Sequence, residues 1–491
     1  MSGKLAEKRA EPGRLVLYVN GVLLLIVSGA MAVPLLVDLA VGNREWTAFA
    51  IAAIATAYPG GMLALANRGY GGRLDRRSAY VLTASAWLTV GAFSSLPFIF
   101  SSLNLSVTDA FFEAMSGLTT TGSTVIVGLD NLPPGLLIWR SLLQWIGGAG
   151  IIVMAILLLP ALGVGGMQLF RTESSDISEN LVPRQYQMAR VTVAVYVALS
   201  AACALGYGAA GMGTFDAINH AMTTLATGGY STKDASIGYF DSVPIEIVGI
   251  VFMIAGALPL AWYARIVTRQ RASILREPQV PVFLAVFIVA VALATLWQVA
   301  ANGVAFSLAL RQSAFNVASV LTDTGFASTD YSAWGSFAVG LFFVLMLIGG
   351  CAGSTAGAVK IFRWQVLFGG FVRSMRLLLS PNRVMVARYG ERVLDAATVD
   401  SVRNFFFMYI VTLFALSLGV MATGLDFLSS ISAVAQAMAN AGPGLGPIVG
   451  PATNFASVAT PAKWLLVAGM LLGRLELSTV YVLLFVGLGR R

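Results

Sequence analysis

The chain has 491 residues, 57% of them hydrophobic and only 11% charged, with a net charge of +8. Soluble domains carry about 25% charged residues, so this composition excludes a water-soluble fold and makes lipid the solvent. The basic balance does not signal nucleic acid, because no basic stripe lies on a soluble domain.

Lys4, Lys8, Arg9 and Arg14 precede an apolar run from Leu15 to Ala40. Ala30-Met31-Ala32 resembles a signal-peptidase site, but the run exceeds the about 7–15 residues of a signal-peptide core. It reads as a retained transmembrane helix. A span needs about 20 apolar residues, and ten stretches qualify as candidates. They are Leu15 to Val41, Trp46 to Ala66, Ala79 to Phe100, Leu136 to Leu162, Val191 to Gly211, Ile245 to Ile266, Pro281 to Ala301, Ser336 to Gly350, Phe405 to Gly424 and Trp464 to Leu488.

Shorter segments rich in small and hydroxyl residues alternate with the later spans. They run from about Val107 to Leu118, Phe215 to Leu225, Ser307 to Leu321 and Asp426 to Met438. They are too short to cross and suit re-entrant helices. Each ends in a glycine-bearing stretch. These read Thr119-Thr120-Thr121-Gly122-Ser123, Ala226-Thr227-Gly228-Gly229-Tyr230, Thr322-Asp323-Thr324-Gly325-Phe326 and Ala439-Asn440-Ala441-Gly442-Pro443.

The glycines recur roughly every 100 residues, an internal repeat of helix, re-entrant helix, loop, helix. Two leading helices occupy 1–78, and four repeats follow at 79–186, 187–279, 280–399 and 400–491. The basic residues cluster in alternate loops, around Arg68 to Arg77, Arg171 to Arg190, Arg265 to Arg276, Lys360 to Arg392 and Arg490-Arg491. The positive-inside rule then puts those loops, with both termini, in the cytoplasm and all four glycine stretches outside.

A cation leaving water needs oxygens in place of its hydration shell, and backbone carbonyls arranged in a ring supply them. Turning carbonyls inward requires backbone angles that glycine tolerates. The negative end of each preceding short helix favours a cation at the same point. One glycine loop per repeat, gathered around an axis, makes a cation filter, with an all-α membrane fold as its scaffold.

Two further features lie at membrane depth. Ser336 to Ile348 is apolar, but Gly349, Gly350, Gly353, Ser354, Thr355 and Gly357 follow, and each glycine costs a helix about 1 kcal/mol against alanine. A broken helix facing a cavity is expected. Arg474 lies inside the last span, where arginine costs about 2.5–3.5 kcal/mol on insertion scales. Glu476 falls on another face of a straight helix and is a poor partner for it.

Asp109 and Asp216, near short-helix N-termini, read as caps. His220, the only histidine, reads as a packing residue, and it excludes a histidine-cluster metal site. Cys203 and Cys351 read as packing residues. No P-loop, dinucleotide fingerprint or catalytic pairing occurs, so an enzyme is not expected.

Several stretches carry a family resemblance. They include Asp109-Ala110-Phe111-Phe112-Glu113, Gly117 to Gly122, Leu143-Gln144-Trp145, Leu162 to Leu169, Asp234 to Asp241, Gly349 to Thr355, Gly442 to Gly446 and Gly473-Arg474-Leu475-Glu476. The chain resembles the Trk/Ktr potassium transporter superfamily, specifically its TrkH-type pore subunit, over nearly its whole length. The resemblance implies four M1-P-M2 repeats (helix, re-entrant pore helix with its filter loop, helix) around a pseudo-fourfold pore. It implies K⁺ bound at Thr120, Thr121, Gly122, Thr227, Gly228, Gly229, Asp323, Thr324, Gly325, Asn440, Ala441 and Gly442.

It also implies a gate from the Gly349–Gly357 loop and Arg474, a homodimer, and a cytoplasmic regulatory ring of TrkA type that carries the nucleotide sites. No cofactor is expected in this chain. The bacterial inner membrane is the expected location, and potassium uptake the expected activity. A symporter coupling K⁺ to Na⁺ or H⁺ is the alternative. Asp323 departs from the family, whose third filter stretch usually carries Thr. It either draws cations to the filter or accepts backbone hydrogen bonds behind the loop.

Overall fold

The computed structural model describes residues 12–69, 76–157, 181–267, 277–382, 385–390, 392–475, 477 and 480–483. Lys4, Lys8 and Arg9, the whole Leu162–Leu169 stretch with Arg171, Glu476 and the C-terminal arginines fall outside these residues.

Helices α1 (Pro12–Ala30) and α2 (Ala32–Val41) form one bent span, which packs on α3 (Trp46–Ala66). From there the order long helix, short helix, loop, helix recurs four times. First come α4 (Arg76–Ser94) with α5 (Leu96–Phe100), then short α6 (Val107–Leu118) and α7 (Pro134–Leu157). Next are α8 (Leu181–Ala209), short α9 (Thr214–Leu225), α10 (Val243–Ala257) and α11 (Leu260–Val267). The third set is α12 (Gln279–Asn302), α13 (Phe306–Leu321), α14 (Ser336–Met346) and α15 (Ile361–Leu379). The last is α16 (Ala396–Met421), α17 (Phe427–Ala439) and α18 (Thr460–Arg474), after a two-stranded hairpin pairing β1 (Arg388–Tyr389) with β2 (Arg392–Val393).

The short helices start on side-chain caps where the sequence supplies them. Ser106 accepts from the Asp109 amide at 3.1 Å, and Asp426 from the Ser429 amide at 3.0 Å. The neighbouring Ser429, whose amide donates to it, holds the Asp426 carboxyl below its usual range. Asp109 and Asp216 are not caps. Asp109 pairs with Lys463 at 2.6 Å, and Asp216 accepts from the Thr232 hydroxyl at 2.7 Å. Lys463 on α18 thus clips the first repeat to the fourth.

Seven of the ten expected spans are long apolar helices among the described residues. The other three are interrupted: the break near the end of the Ser336–Gly350 stretch is the one expected there, whereas those in the Ile245–Ile266 and Trp464–Leu488 stretches correct the expectation of continuous spans. The Ile245–Ile266 stretch breaks at Leu258-Pro259, because proline supplies no amide and clashes with the preceding turn. The Ser336–Gly350 stretch stops as a helix at Met346, and Trp464–Leu488 at Arg474, followed by a turn at Leu475. All three are second helices of a set, and only α7 in the first set runs through.

The apolar cores bridge neighbouring sets rather than filling each one separately. Phe112 and Met115 of α6 pack with Phe455, Leu466 and Met470 of the fourth set. Phe315 of α13 joins Tyr196, Tyr207 and Met253 of the second. Side chains exposed on the outer helices are large and apolar, such as Ile54, Leu205, Ile288 and Phe414, as lipid contact requires.

Candidate functional site

All four short helices end in the same way. The residue two before each recurring glycine is left-handed, with φ of 54° at Thr120, 48° at Thr227, 59° at Asp323 and 56° at Asn440. Its amide donates to the carbonyl three residues back, and the next amide to the carbonyl five residues back. This is a Schellman ending, in which glycine normally holds the left-handed position. Here four β-substituted residues hold it, at about 1–2 kcal/mol each. The glycines that follow are also left-handed, with φ of 87° at Gly122, 74° at Gly229, 84° at Gly325 and 91° at Gly442.

The four loops touch in cyclic order. A Cβ on Gly122 would lie 2.1 Å from the Gly228 oxygen, and one on Gly229 would lie 2.0 Å from the Thr324 oxygen. A Cβ on Gly325 would lie 2.6 Å from the Ala441 oxygen, and Gly122 also abuts the Gly442 Cα, 3.3 Å from its own Cβ position. One to two, two to three, three to four and four to one close a ring of backbone. All twelve residues expected to hold K⁺ fall within it.

Polar side chains brace that ring from behind. Gln144 Nε2 donates to the Gly228 oxygen at 2.6 Å, and Gln144 Oε1 accepts from the Tyr230 amide. Ser123 Oγ donates to the Gly442 oxygen at 3.0 Å, and Asn440 Nδ2 to Thr121 Oγ1 at 2.9 Å. Deeper still, Arg140 Nε meets Glu113 Oε1 at 2.8 Å with both side chains buried, and its guanidinium lies 4.1 Å from the Tyr230 ring centre.

Glu113 also accepts from the Val125 amide and the Thr124 hydroxyl, and Arg140 donates to the Ser231 oxygen. Breaking such a pair strands a buried charge. Arg140→Met is expected to destabilise the protein by about 3–5 kcal/mol. A thermal-melt midpoint in detergent checks this, and the Glu113→Leu/Arg140→Met double variant should recover most of the loss.

Beneath the ring, the second helix of each set, or in the third set the chain just beyond it, brings a glycine close to the end of the short helix above or to the loop that follows it. A Cβ on Gly147 would lie 1.9 Å from the Leu118 oxygen, and on Gly473 2.1 Å from the Met438 oxygen. Gly256 faces the Leu225 oxygen at 3.2 Å, and Gly349 faces Asp323 Oδ2 at 3.0 Å, on the same measure. The next residues, by the same register, are Gly148, Ala257, Gly350 and Arg474. Three are small, and one is an arginine that is 3% exposed.

The 347–360 segment fills the same level. Its Ile348 and Val359 pair as a parallel bridge, and Ala358 is left-handed at φ 44°. It docks on the break in the second set. Cys351 N donates to the Ala257 oxygen and Thr355 N to the Gly256 oxygen, while Leu260 N donates to the Gly353 oxygen. Those are backbone groups that the Leu258-Pro259 break frees. Thr355 Oγ1 also donates to the Leu225 oxygen at 3.0 Å, and Ala358 N to the Ala439 oxygen at 2.8 Å. Lys360 Nζ donates to the Ala356 oxygen.

The loop thus holds the ends of two short helices at once. Arg474 Nη1 donates to the Thr355 oxygen at 3.2 Å, and its Nε and Nη2 have no hydrogen-bond partner among the described residues. Below lies a cavity of about 50 Å³ lined by Gly353, Gly357, Lys360, Tyr409 and Arg474 among others. All seven residues expected at the gate therefore gather under the ring.

The sequence reading missed Arg140, Glu113, Gln144 and Lys463 as working residues. Arg140 lies inside an apolar span, the signal that singled out Arg474, whereas Lys463 sits in the first turn of α18 just before its span and carries no such signal. His220 is buried as expected, bonded to the Asp216 oxygen and Ser231 Oγ. Both cysteines are free and buried. Among the described residues no group of three or more His, Cys, Asp or Glu could hold a metal ion.

Residues 46–488 match the family model TrkH, described as a cation transport protein. The chain is 42% identical over 470 residues to the Trk system potassium uptake protein TrkI of Halomonas elongata, covering 96% of this chain and 95% of the relative. It is 40% identical over 475 residues to the Trk system potassium uptake protein TrkH of Escherichia coli, covering 96% and 98%. Among solved structures, the potassium transporter TrkH from Vibrio parahaemolyticus superposes with a TM-score of 0.89 at 36% identity, covering 96% of this chain and 98% of that one.

Proposed function

This chain belongs to the TrkH family of cation transport proteins, is not an enzyme, and from that premise we propose that it is the potassium-conducting subunit of a Trk-type uptake system. The ring formed by Thr120 to Gly122, Thr227 to Gly229, Asp323 to Gly325 and Asn440 to Gly442 is the filter. The four sets are M1-P-M2 repeats around one pore, and α1 to α3 form the two leading spans. The observation that carries this reading is the cyclic closure of four left-handed loops at the ends of four short helices. Each helix directs its negative end at the ring, which attracts cations and repels anions. The ring is one short tier, so selectivity for K⁺ over Na⁺ is modest.

The 349–357 loop and Arg474 form the gate. Opening withdraws the loop from the Leu225, Gly256 and Ala439 carbonyls. The energy for that comes from a cytoplasmic regulatory ring, which carries the nucleotide sites. The chain acts as a homodimer in the bacterial inner membrane, with both termini cytoplasmic.

The test is the reversal potential of the purified chain in vesicles under opposed K⁺, Na⁺ and H⁺ gradients. A channel-like conduit gives a potential that follows the K⁺ gradient, with a small Na⁺ contribution. A value displaced by the H⁺ gradient, or displaced by Na⁺ in fixed stoichiometry, rejects it in favour of a coupled symporter.

A further inference from the structure

Three cationic side chains, Lys360, Arg363 and Arg474, line the cavity below the ring, and no aspartate or glutamate among the described residues does so. They come from three elements: the 347–360 loop, α15 and α18. Asp323 does not line the cavity, and neither of its oxygens makes a hydrogen bond. Arg474 therefore has no carboxylate bonded to it among the described residues. Like charges gathered in a buried space repel one another and have lost much of their water.

Two of the donors facing this space are unsatisfied. Arg474 is 3% exposed and Tyr409, on α16, is 5% exposed. Arg474 commits Nη1 to the Thr355 oxygen, while its Nε and Nη2 and the Tyr409 hydroxyl have no hydrogen-bond partner among the described residues. A buried donor without a partner is costly, and a charged one more so. Arginine and lysine carry no acceptor atom, so the cations cannot satisfy one another. The ligand that suits them brings lone pairs and negative charge together, and hydrogen bonds to an ionised partner are the stronger kind. Water brings only the lone pairs.

Size narrows the class further. A cavity of about 10–15 Å³ on this measure already holds one water. At about 50 Å³ the space admits an ion of chloride size with little water beside it, and excludes a nucleotide or a lipid headgroup.

We propose that this cavity is an anion site for one small monovalent ion of the halide class. Arg474 Nε and Nη2 and the Tyr409 hydroxyl donate to the ion, and Lys360 and Arg363 add positive charge around it. The exposed backbone at Gly353 gives it a way in. The ion ties the loop to α16 and α18. A single negative charge among three positive ones leaves the cavity positive, so the barrier that Arg474 raises against cations persists. Such a site exists whether or not the loop gates a pore.

The test uses the purified full chain in detergent at constant ionic strength and constant K⁺. Gluconate, which is too large for the cavity, is replaced stepwise by chloride or bromide. An ion that binds the folded state raises the thermal-melt midpoint with its concentration. The native chain is expected to show a saturable rise in both halides. Tyr409→Phe should weaken the apparent affinity about tenfold, as the loss of one hydrogen bond to a charged group implies. Arg474→Gln keeps hydrogen-bonding atoms but no charge, and should abolish the saturable rise.

In crystals of the native chain soaked in bromide, anomalous scattering should place an ion between Arg474 and Tyr409, and crystals of Arg474→Gln should lack it. A native chain whose midpoint does not respond to halide overturns the proposal. So does an equal response in Arg474→Gln, or bromide found only outside the cavity, since either means an adventitious ion only. Neither readout involves ion flux. A chain that proves not to conduct K⁺ would leave the anion site standing, and an absent anion site would leave the pore standing.

Discussion

Gly122→Ser is expected to abolish selective potassium conduction, reducing Rb⁺ uptake in vesicles by more than tenfold or removing its preference for K⁺ over Na⁺. The added Cβ would stand 2.1 Å from the Gly228 oxygen and 3.3 Å from the Gly442 Cα. Both are backbone atoms of neighbouring loops, so no side chain can rotate away. The position is also left-handed at φ 87°, which disfavours any β-substituted residue. Relief requires one loop to move, and a shift of a few tenths of an ångström in a carbonyl ring changes the size of ion it fits.

Gly325→Ser should be the milder of the pair, because its Cβ would lie 2.6 Å from the Ala441 oxygen. Native rates and native K⁺ over Na⁺ preference in both variants would remove the filter from this ring.

Arg474→Ala is expected to have the opposite sign, raising flux by tens of fold at equal protein content in the vesicles. The guanidinium is almost wholly buried one residue below the level at which Gly147, Gly256, Gly349 and Gly473 meet the short helices. A unit charge about 8 Å from a passing cation, at an effective dielectric of about 20, adds about 2 kcal/mol to its energy. The variant also releases the Thr355 oxygen, so barrier and obstruction weaken together. Arg474→Lys separates the two contributions, since it retains the charge while losing the guanidinium fork. Flux that stays at the native level in the alanine variant would deny Arg474 a role in closure.

The site was more legible in the sequence than the fold around it. A glycine two residues after a threonine, aspartate or asparagine, at the end of a short polar helix, is a local pattern, and the chain repeats it four times. The glycines marked where the backbone turns left-handed, and the flanking residues took the same geometry by position.

The interrupted second helices were harder to read. Pro259 was a visible breaker in the second repeat, yet its apolar neighbours carried the hydropathy across it. Leu475 gives no such sign, and the close approach of Gly473 to the Met438 carbonyl beside it exists only in the folded chain. The Arg140–Glu113 pair was hidden for a different reason. Its partners are 27 positions apart, and only packing of α6 on α7 brings them together.

Three of the four second helices break under the ring of glycine loops while α7 continues unbroken among the described residues, and this has a consequence for ancestry. A channel assembled from four separate identical chains must place any insertion in every quadrant. Four copies of Arg474, or four 347–360 loops, would crowd one axis with like charges and like backbone. Fusing the quadrants into a single polypeptide lifts that constraint. One quarter can then specialise as a latch, another as an electrostatic plug, a third as their docking shelf, and the remaining quarter can stay a rigid strut.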